Sequence, residues 1–327
     1  MDGPSETSQT CESTALHCAI TAKLVDMVRY LVVEAVADVN LPNNDTEPLS
    51  PIRAVAKMVM NATHDAKTAT ATAEIARILC ANGADTAAAA DSEGYPPLLR
   101  IAYSNYSHKE DLIKAMALAG ANVAARRANT GESLLSYYAT SCRNVAMMKF
   151  LIEHGANVNI NDAGRSGIPP LVQFVRHMQA GDMDTLKYLI RHGADVNTPA
   201  GNGSSYPGWT PVAMAGTIGD GRLSVTEYLL QVGADITICD RHTGMNALHR
   251  AAAADAIKVV TAMCKTMGPA WEHTSRDGLT PVSNAGHVVR PFLTKWAEGA
   301  APWTANGHCR QPEGLHNTVS KALAPHA

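Results

Sequence analysis

The chain has 327 residues, 46% of them hydrophobic and 17% charged, which is the balance of a folded protein and not of a disordered one. Its formal net charge of −3, with no Lys/Arg run, excludes the electrostatic footprint of a nucleic-acid-binding protein. No apolar run approaches the roughly 18–20 residues of a membrane span, and the acidic start MDGPSETSQT is unlike a secretory or mitochondrial signal. Seven cysteines without a C-x-x-C pair favour free thiols in a reducing compartment, so we expect the cytoplasm, with the nucleus as the alternative.

Two short phrases alternate along the chain. The helix-start phrase joins a capping residue to proline or alanine and an aliphatic residue, as in Thr210-Pro211-Val212. The helix-end phrase, as in LIRHGADVNT (189–198), ends an apolar-periodic segment with a glycine suited to a left-handed backbone, and its Asp and Asn can bond local amides. Each unit therefore predicts a helix, a turn, a helix and an extended finger, and neighbouring units must stack to bury their apolar sides. Units begin near residues 14, 50, 96, 133, 169, 210, 246 and 280.

In chain order, the phrases divide the protein into an N-terminal tail (1–12), a stack of units (13–300) and a C-terminal tail (301–327). We expect both tails to be loose. The first unit carries Val36 where later units carry glycine, so its second helix is expected to end differently. The second unit has an insertion, MNATHDAKTATATA (60–73), between its two helices.

The later units depart from the pattern at their ends. The sixth has a long Gly/Ser-rich finger, TPAGNGSSYPGWTP (198–211). The seventh stops at Gly268-Pro269 without the Ala-Asp-Val phrase. The eighth is partial, and we expect one helix pair from Thr280 to about Ala297, packed as a C-terminal cap.

The phrases T-A-L-H-C-A (14–19), T-P-V-A-M-A (210–215) and N-A-L-H-R-A-A (246–252), with H-G-A-N-V-N and H-G-A-D-V-N, resemble the ankyrin repeat family. The resemblance covers roughly residues 14–290 at a spacing near 33 residues. It implies an all-α ankyrin-repeat solenoid of about seven to eight stacked helix-turn-helix units with extended fingers. It also implies that His17 and His249 have structural roles, bonding the backbone and the capping residue of the motif. Long, irregular, alanine-rich members of this kind look fungal.

Thirteen histidines invite a catalytic or metal-binding interpretation. None lies in a H-E-x-x-H pattern, so a helix-borne zinc site has no support. The glycine-rich TIGDGR (217–222) lacks the strand and the GK[ST] of a phosphate loop, and Gly203-Ser204 lacks the parallel sheet of a nucleophile elbow. We therefore predict no catalytic residue, no metal and no cofactor. A Cys–His pair formed between units stays open.

The family usually binds through a concave face made of finger tips and the exposed ends of the first helices. Tyr206 and Trp209 in the longest finger suit a binding hot spot, although Trp209 packing on the neighbouring finger is an equal alternative. Four central units have replaced the motif histidine, which indicates either drift or a pocket lined by aromatics and arginine in units three to six. The replacements are Leu99, Ser136, Val172 and Ala213. The candidate binding residues are Tyr103, Tyr137, Tyr138, Arg176, His177, Tyr206, Trp209, Arg241 and His242.

The first functional hypothesis is a non-enzymatic scaffold that binds a protein or peptide partner through this face, without nucleic acid or membrane. The alternative is an enzyme or small-molecule-binding protein, of fungal metabolism by the resemblance, with its pocket on units three to six. A third hypothesis is a substrate-targeting part of a larger regulatory assembly, in which a partner supplies any catalysis.

Overall fold

The structure, a computed structural model, is helical throughout the part of the chain that it describes. It describes residues 14–43, 48–60, 66–87, 90–142, 144–159, 167–179, 181–202, 204–266 and 272–299. Within these ranges the only strand-like pairing is an isolated antiparallel bridge between Arg126 and Ser133. The all-α fold class is therefore confirmed. Both predicted tails, 1–12 and 301–327, lie outside the described residues.

The chain divides into two compact units, and the first of them comprises residues 1–137 and 146–156. Its helices are α1 (Ala15–Thr21), α2 (Val25–Arg29) with a π-helical continuation (Tyr30–Glu34), α3 (Pro51–Met60), α4 (Ala66–Ala81), α5 (Pro97–Tyr103), α6 (Lys109–Leu118), α7 (Leu134–Tyr137) and most of α8 (Val145–Glu153). The first helices of successive hairpins, α1, α3, α5 and α7, pack one on the next. The second helices α2, α4 and α6 form a parallel row, and the apolar core lies between the two rows.

The second compact unit comprises residues 138–145 and 157–327. Its helices are a π-helical turn (Tyr138–Cys142), α9 (Pro170–His177), α10 (Met183–Arg191), α11 (Pro211–Ile218), a 3-10 turn (Asp220–Arg222), α12 (Leu223–Gln231), α13 (Ala247–Ala253), α14 (Ile257–Thr266) and α15 (Val289–Gly299). Helices α9, α11 and α13 again stack in succession, and α12 packs on α14.

Each helix-end phrase forms the predicted turn. The Asp or Asn at its centre accepts a hydrogen bond from the backbone amide two residues later, as when Asp195 Oδ1 accepts from Asn197 N at 2.8 Å. Gly193 takes φ +93°, although a side chain there would meet no atom within 4 Å, so the backbone conformation and not space requires glycine. The same bond recurs at Asp38, Asp85, Asn122, Asn157 and Asp235.

A second bond, which sequence inspection missed, joins neighbouring repeats at these turns. Asn197 donates from Nδ2 to the Gly233 carbonyl at 3.1 Å and accepts from Asp235 N at 2.7 Å. Asn40 and Asn159 make the same pair of bonds to the glycine and aspartate of their own following phrases. One asparagine side chain thereby satisfies two backbone groups of the next turn.

The first repeat ends differently, as expected. Ala37 N donates to Leu31 O at 2.8 Å, whereas the equivalent bond in a regular repeat spans one residue fewer, from Ala194 N to Leu189 O. The extra residue is absorbed by the π-helical turn, and Val36 adopts φ +54° in place of glycine.

Two predicted irregularities take other forms in the structure. Much of the 60–73 insertion, from Ala66 onward, is helical and lengthens α4 to 16 residues, while residues 61–65 lie outside the described residues. In the eighth repeat, turns at 281–284 replace the expected first helix, and only α15 forms. The carboxylate of Asp255 accepts from Val289 N at 2.8 Å and so caps the start of α15.

Candidate binding surfaces

The motif histidines are structural. His17 Nε2 donates to the Leu49 carbonyl at 2.7 Å, and His249 Nε2 donates to the Leu279 carbonyl at 3.0 Å. Each bond reaches the residue directly before the next helix-start phrase, so each histidine fastens its first helix to the following finger. Burial lowers the pKa of His249, against the opposing effect of the Leu279 carbonyl. Both side chains therefore hold adjacent repeats together.

The histidines of the helix-end phrase are also structural. The imidazole of His192 stacks on Tyr188, with ring centroids 3.9 Å apart, and its Nδ1 donates to the Tyr188 carbonyl at 2.9 Å. His154 makes the same two contacts to Phe150. Each ring thus adds a second donor to a carbonyl of the last helical turn, which the backbone amide of the same histidine also reaches.

Two predicted residues of the first compact unit meet in an aromatic contact. The ring centroids of Tyr103 and Tyr137 are 4.5 Å apart, and Tyr103 is 41% exposed whereas Tyr137 is buried. Tyr103 donates from its hydroxyl to Glu132 at 2.7 Å. Burial, followed by the Glu132 carboxylate, raises the pKa of Tyr103. Tyr103 therefore offers a fixed, neutral ring at the surface.

A third ring, Tyr95, extends this contact and carries two cations. Its ring lies edge-on to Tyr103 at 5.4 Å, and the guanidinium groups of Arg127 and Arg100 lie 3.8 and 4.4 Å from its centroid. Arg100 also pairs with Asp91. Tyr95 is one of the finger positions that the family pattern assigns to the concave face, although it is not among the nine candidate binding residues. Its position directly before the helix-start phrase, which it shares with Trp209, is the sequence signal that could have found it.

A cavity of about 220 Å³ opens between α3 and the finger that carries Tyr95. One side is the face of α3, and the other is the finger and the start of α5. Its lining is Leu49, Arg53, Ala56, Lys57, Met60, Asp91, Ser92, Glu93, Tyr95, Pro97 and Arg100. None of the candidate residues named from the sequence lines it.

The second compact unit holds a row of alternating cations and rings. Arg176 lies over Tyr206 at 4.5 Å, the Tyr206 and Trp209 rings are 5.0 Å apart, and Arg250 lies over Trp209 at 3.7 Å. Arg250 pairs with Asp240 at 2.6 Å. Burial would raise the pKa of the Asp240 carboxyl, but hydrogen bonds from Thr243 and Arg250 outweigh it and hold that pKa below its usual range.

The backbone of the long finger holds these rings in place. Ala200 N donates to Trp209 O at 2.9 Å, and Gly208 N donates to Ala200 O at 2.8 Å. Gly208 has φ +76°, and a Cβ there would lie 2.8 Å from Asp240 Cα, so only glycine allows this approach to the next finger. Tyr206 and Trp209 are half-buried. The ring of Trp209 packs on Tyr206 of its own finger and on Arg250 of α13, and part of it remains at the surface.

The remaining candidates separate by burial. Tyr138 is 0% exposed, so its choice as a binding residue was wrong: every side chain from Ser133 to Ala139 is buried, and this segment has no solvent-facing side. His177 is half-buried at the end of α9. Arg241 and His242 are exposed on the finger that begins with Asp240.

One Cys–His contact forms between repeats. His273 Nε2 lies 3.1 Å from both Cys239 Sγ and the Gly244 carbonyl oxygen. A carbonyl can only accept, so Nε2 carries its proton and cannot take one from the thiol. Cys239 donates instead to the Thr237 carbonyl at 3.1 Å. Burial, with the nearby carboxylates of Asp240 and Asp235, raises the pKa of Cys239, so the contact lacks the activated thiolate of a nucleophilic pair.

The described residues show neither a membrane-spanning helix nor a metal-ligand cluster. None of the helices in the described ranges combines the length and the apolar composition that a bilayer crossing requires. His, Cys, Asp and Glu side chains of the described residues nowhere gather in threes as a metal site would need.

Comparisons with known proteins agree with this architecture. The family model described as ankyrin repeats (3 copies) matches residues 171–277, and the single ankyrin repeat model matches residues 11–44 and 130–163. The crystal structure of the ankyrin repeat domain of Bcl-3, described as a unique member of the IkappaB protein family, is 20% identical in sequence, and the match covers 77% of this chain and 98% of that chain with a TM-score of 0.53. No curated protein sequence matches the chain. With more than half of its residues matched by ankyrin models, the chain belongs to the ankyrin repeat family.

Proposed function

We propose that this protein is an interaction scaffold that binds a protein or peptide partner, and that the row formed by Arg176, Tyr206, Trp209 and Arg250 is a contact surface for it. The row carries the proposal because its side chains are of the types that dominate binding hot spots, tryptophan, tyrosine and arginine. They are half-buried, so each keeps part of its surface for a partner.

Preorganisation of the row supports the same function. The finger is tied to itself through Ala200 and to the next finger through the close approach of Gly208 to Asp240. Arg250 is held between the Trp209 ring and the Asp240 carboxylate. A partner would therefore meet side chains that are already ordered, and the entropy lost on binding is correspondingly small.

The enzyme or small-molecule alternative has less support. The cavity beside α3 has about 220 Å³, which is below the range of roughly 300–1,000 Å³ that small-molecule sites occupy. Cys239 donates to the Thr237 carbonyl and His273 donates to the Gly244 carbonyl, so the imidazole does not take the proton of the thiol. Neither observation supplies a site for the enzyme alternative.

The test is a comparison of partners bound by the wild-type protein and by surface variants. Proteins retained by the immobilised chain are identified, and each is then titrated as a purified protein. Arg176→Glu and Tyr206→Ala are expected to weaken a true partner by about tenfold or more, as hot-spot losses do. Arg191→Glu makes the same charge change on an exposed helix end and should leave the affinity within about twofold. Equal affinity of all three variants would overturn the assignment of the row.

A further inference from the structure

The two walls of the cavity beside α3 differ in charge. Arg53, Ala56, Lys57 and Met60 are spaced three and four residues apart, so they share one face of α3, and all four line the cavity. This wall contributes two positive charges and no carboxylate. The alkyl surfaces of Ala56 and Met60 lie between and beside those charges.

The opposite wall is preorganised by one ion pair. Asp91 Oδ1 accepts from the backbone amides of Glu93 and Tyr95 at 3.0 and 2.9 Å, and Oδ2 accepts from Arg100 Nε at 2.5 Å. Arg100 is drawn further by Glu93, whose carboxylate lies 3.4 Å away and is largely exposed. The acceptors of Asp91 are therefore used inside the wall, and its charge is offset by Arg100. Counted over the whole lining, three cations face two carboxylates.

The apolar part of the cavity has a rigid aromatic component. Tyr95 lies between the guanidinium groups of Arg127 and Arg100, which fix its ring. Leu49 and Pro97 complete the apolar lining. A carbon-rich surface thus lies within one cavity with the two cations of α3.

The cavity lies beside a position at which the repeat motif changes. Arg53 occupies the place that histidine has in the first and seventh repeats, where His17 and His249 bond the carbonyl before the next helix start. The longer side chain of Arg53 instead donates from Nη1 to the Pro48 carbonyl at 2.8 Å. The space between α3 and the following finger is the cavity.

We propose that this cavity binds an acidic segment of a protein partner, in which a carboxylate side chain is adjacent to an aliphatic one. The carboxylate pairs with Lys57, and the aliphatic side chain packs on Met60, Ala56 and the Tyr95 ring. A cavity of about 220 Å³ has room for one or two side chains. This inference rests on the proposed scaffold function and adds to it a second contact site and the chemistry of its ligand.

The test uses the full-length chain and a display library of random twelve-residue peptides. Selected peptides are expected to be enriched in Asp or Glu beside Leu, Ile or Val. The strongest binder, labelled with fluorescein, is then titrated by fluorescence anisotropy. Replacement of its acidic residues by the corresponding amides should weaken binding by about tenfold, and binding should weaken as salt rises.

Variants of the chain test whether the peptide binds in the cavity beside α3. Lys57 is exposed, so Lys57→Glu should fold as the wild type does, which a matching thermal midpoint checks, and it should weaken the peptide by about tenfold or more. Lys258→Glu, an exposed lysine of α14 in the other compact unit, is the charge-matched control and should leave binding within about twofold.

The outcomes separate this inference from the proposed function. Peptides that lack acidic residues, or that bind Lys57→Glu as tightly as the wild type but lose affinity for Arg176→Glu, would overturn the acidic site while supporting the scaffold function. Failure of the library to yield any peptide, with free glutamate binding at the Lys57 site, would overturn both.

Discussion

At the scale of single residues, Val36 has the left-handed backbone conformation that glycine adopts at the end of the second helix in other repeats. Its φ of +54° brings a β-branched side chain toward the following carbonyl, which costs about 1–2 kcal/mol for an L-residue. The side chain is 81% exposed, so little packing offsets that cost. The conformation persists because the bond from Ala37 N to Leu31 O closes the end of the helix around it.

Replacement of Val36 by glycine should therefore stabilise the protein. We expect Val36→Gly to raise the free energy of unfolding by about 1 kcal/mol, measured by urea denaturation, since glycine removes the strain and returns part of the gain through the entropy of the unfolded chain. Val33→Gly is the matched control: Val33 is also exposed but lies within the π-helical turn, and its replacement should lower stability by about 1 kcal/mol. Equal destabilisation by both changes would show that Val36 is unstrained.

At the scale of helices, an ion-pair cluster joins α2 to α4. Glu74 accepts from Arg77 of its own helix at 2.7 Å and from Arg29 of α2 at 2.6 Å. The hydrogen bond from Arg77 is the largest cause that lowers the pKa of Glu74 from 4.5 to about 2, opposed by burial and assisted by Arg29. The folded state therefore holds the ionised carboxylate more strongly than the unfolded state does.

This difference predicts an acid-dependent contribution of Glu74 to stability. Because the folded pKa is depressed, the contribution is complete above about pH 4.5 and is lost as the pH falls toward about 2. Since the arginines are about half exposed, solvent screening limits it to about 1 kcal/mol or less. The free-energy difference between wild type and Glu74→Gln, measured at pH 7, 5, 4 and 3, should be largest at pH 7 and shrink below pH 4.5. A difference that stays constant with pH would refute this role.

At the scale of the whole molecule, the protein is a series of repeats held to their neighbours by recurring bonds. In such a chain, stability depends on the contacts between adjacent repeats as much as on each repeat alone. The asparagine at the end of the helix-end phrase supplies one of these contacts at Asn40, Asn159 and Asn197. His17 and His249 supply another on the side of the first helices.

Removal of one asparagine link should weaken the stack. We expect Asn197→Ala to lower the free energy of unfolding by about 1–2 kcal/mol, because the Gly233 carbonyl and the Asp235 amide both lose their partner. Hydrogen exchange at the Asp235 amide should accelerate in the same variant. Asn202→Ala, at an exposed turn of the long finger, should change stability by less than about 0.5 kcal/mol. Unchanged exchange at Asp235 would argue against the link.

Structural features that depend on residues close together in the sequence could be predicted. The glycine turns, the Asp and Asn amide bonds and the roles of His17 and His249 each depend on residues close together in one phrase or on the family pattern. Tyr138 was misplaced because every side chain from Ser133 to Ala139 is buried, and burial on all sides of a short helix follows from packing that no residue pattern marks. The contact of Cys239 with His273 joins positions 34 residues apart, and the distance between them follows from stacking alone.

The site beside α3 shows the same limit. Its cations lie on one helix face and could be found by their spacing, but the opposing wall comes from a finger about forty residues later. Arg53 was visible at the histidine position, yet only the structure shows that a cavity lies beside it. The pairing of Trp209 with Arg250 likewise depends on how closely two fingers approach at Gly208.

The asparagine links have a consequence for how the chain tolerates changes of length. Asn40 reaches Gly83 and Asp85 across sequence separations of 43 and 45 residues, whereas Asn197 makes the identical pair of bonds across 36 and 38. The second repeat has therefore gained residues without changing the geometry by which its turn meets the preceding one. The extra residues from Ala66 onward are accommodated in the lengthened α4, away from that junction, so both neighbours keep their register.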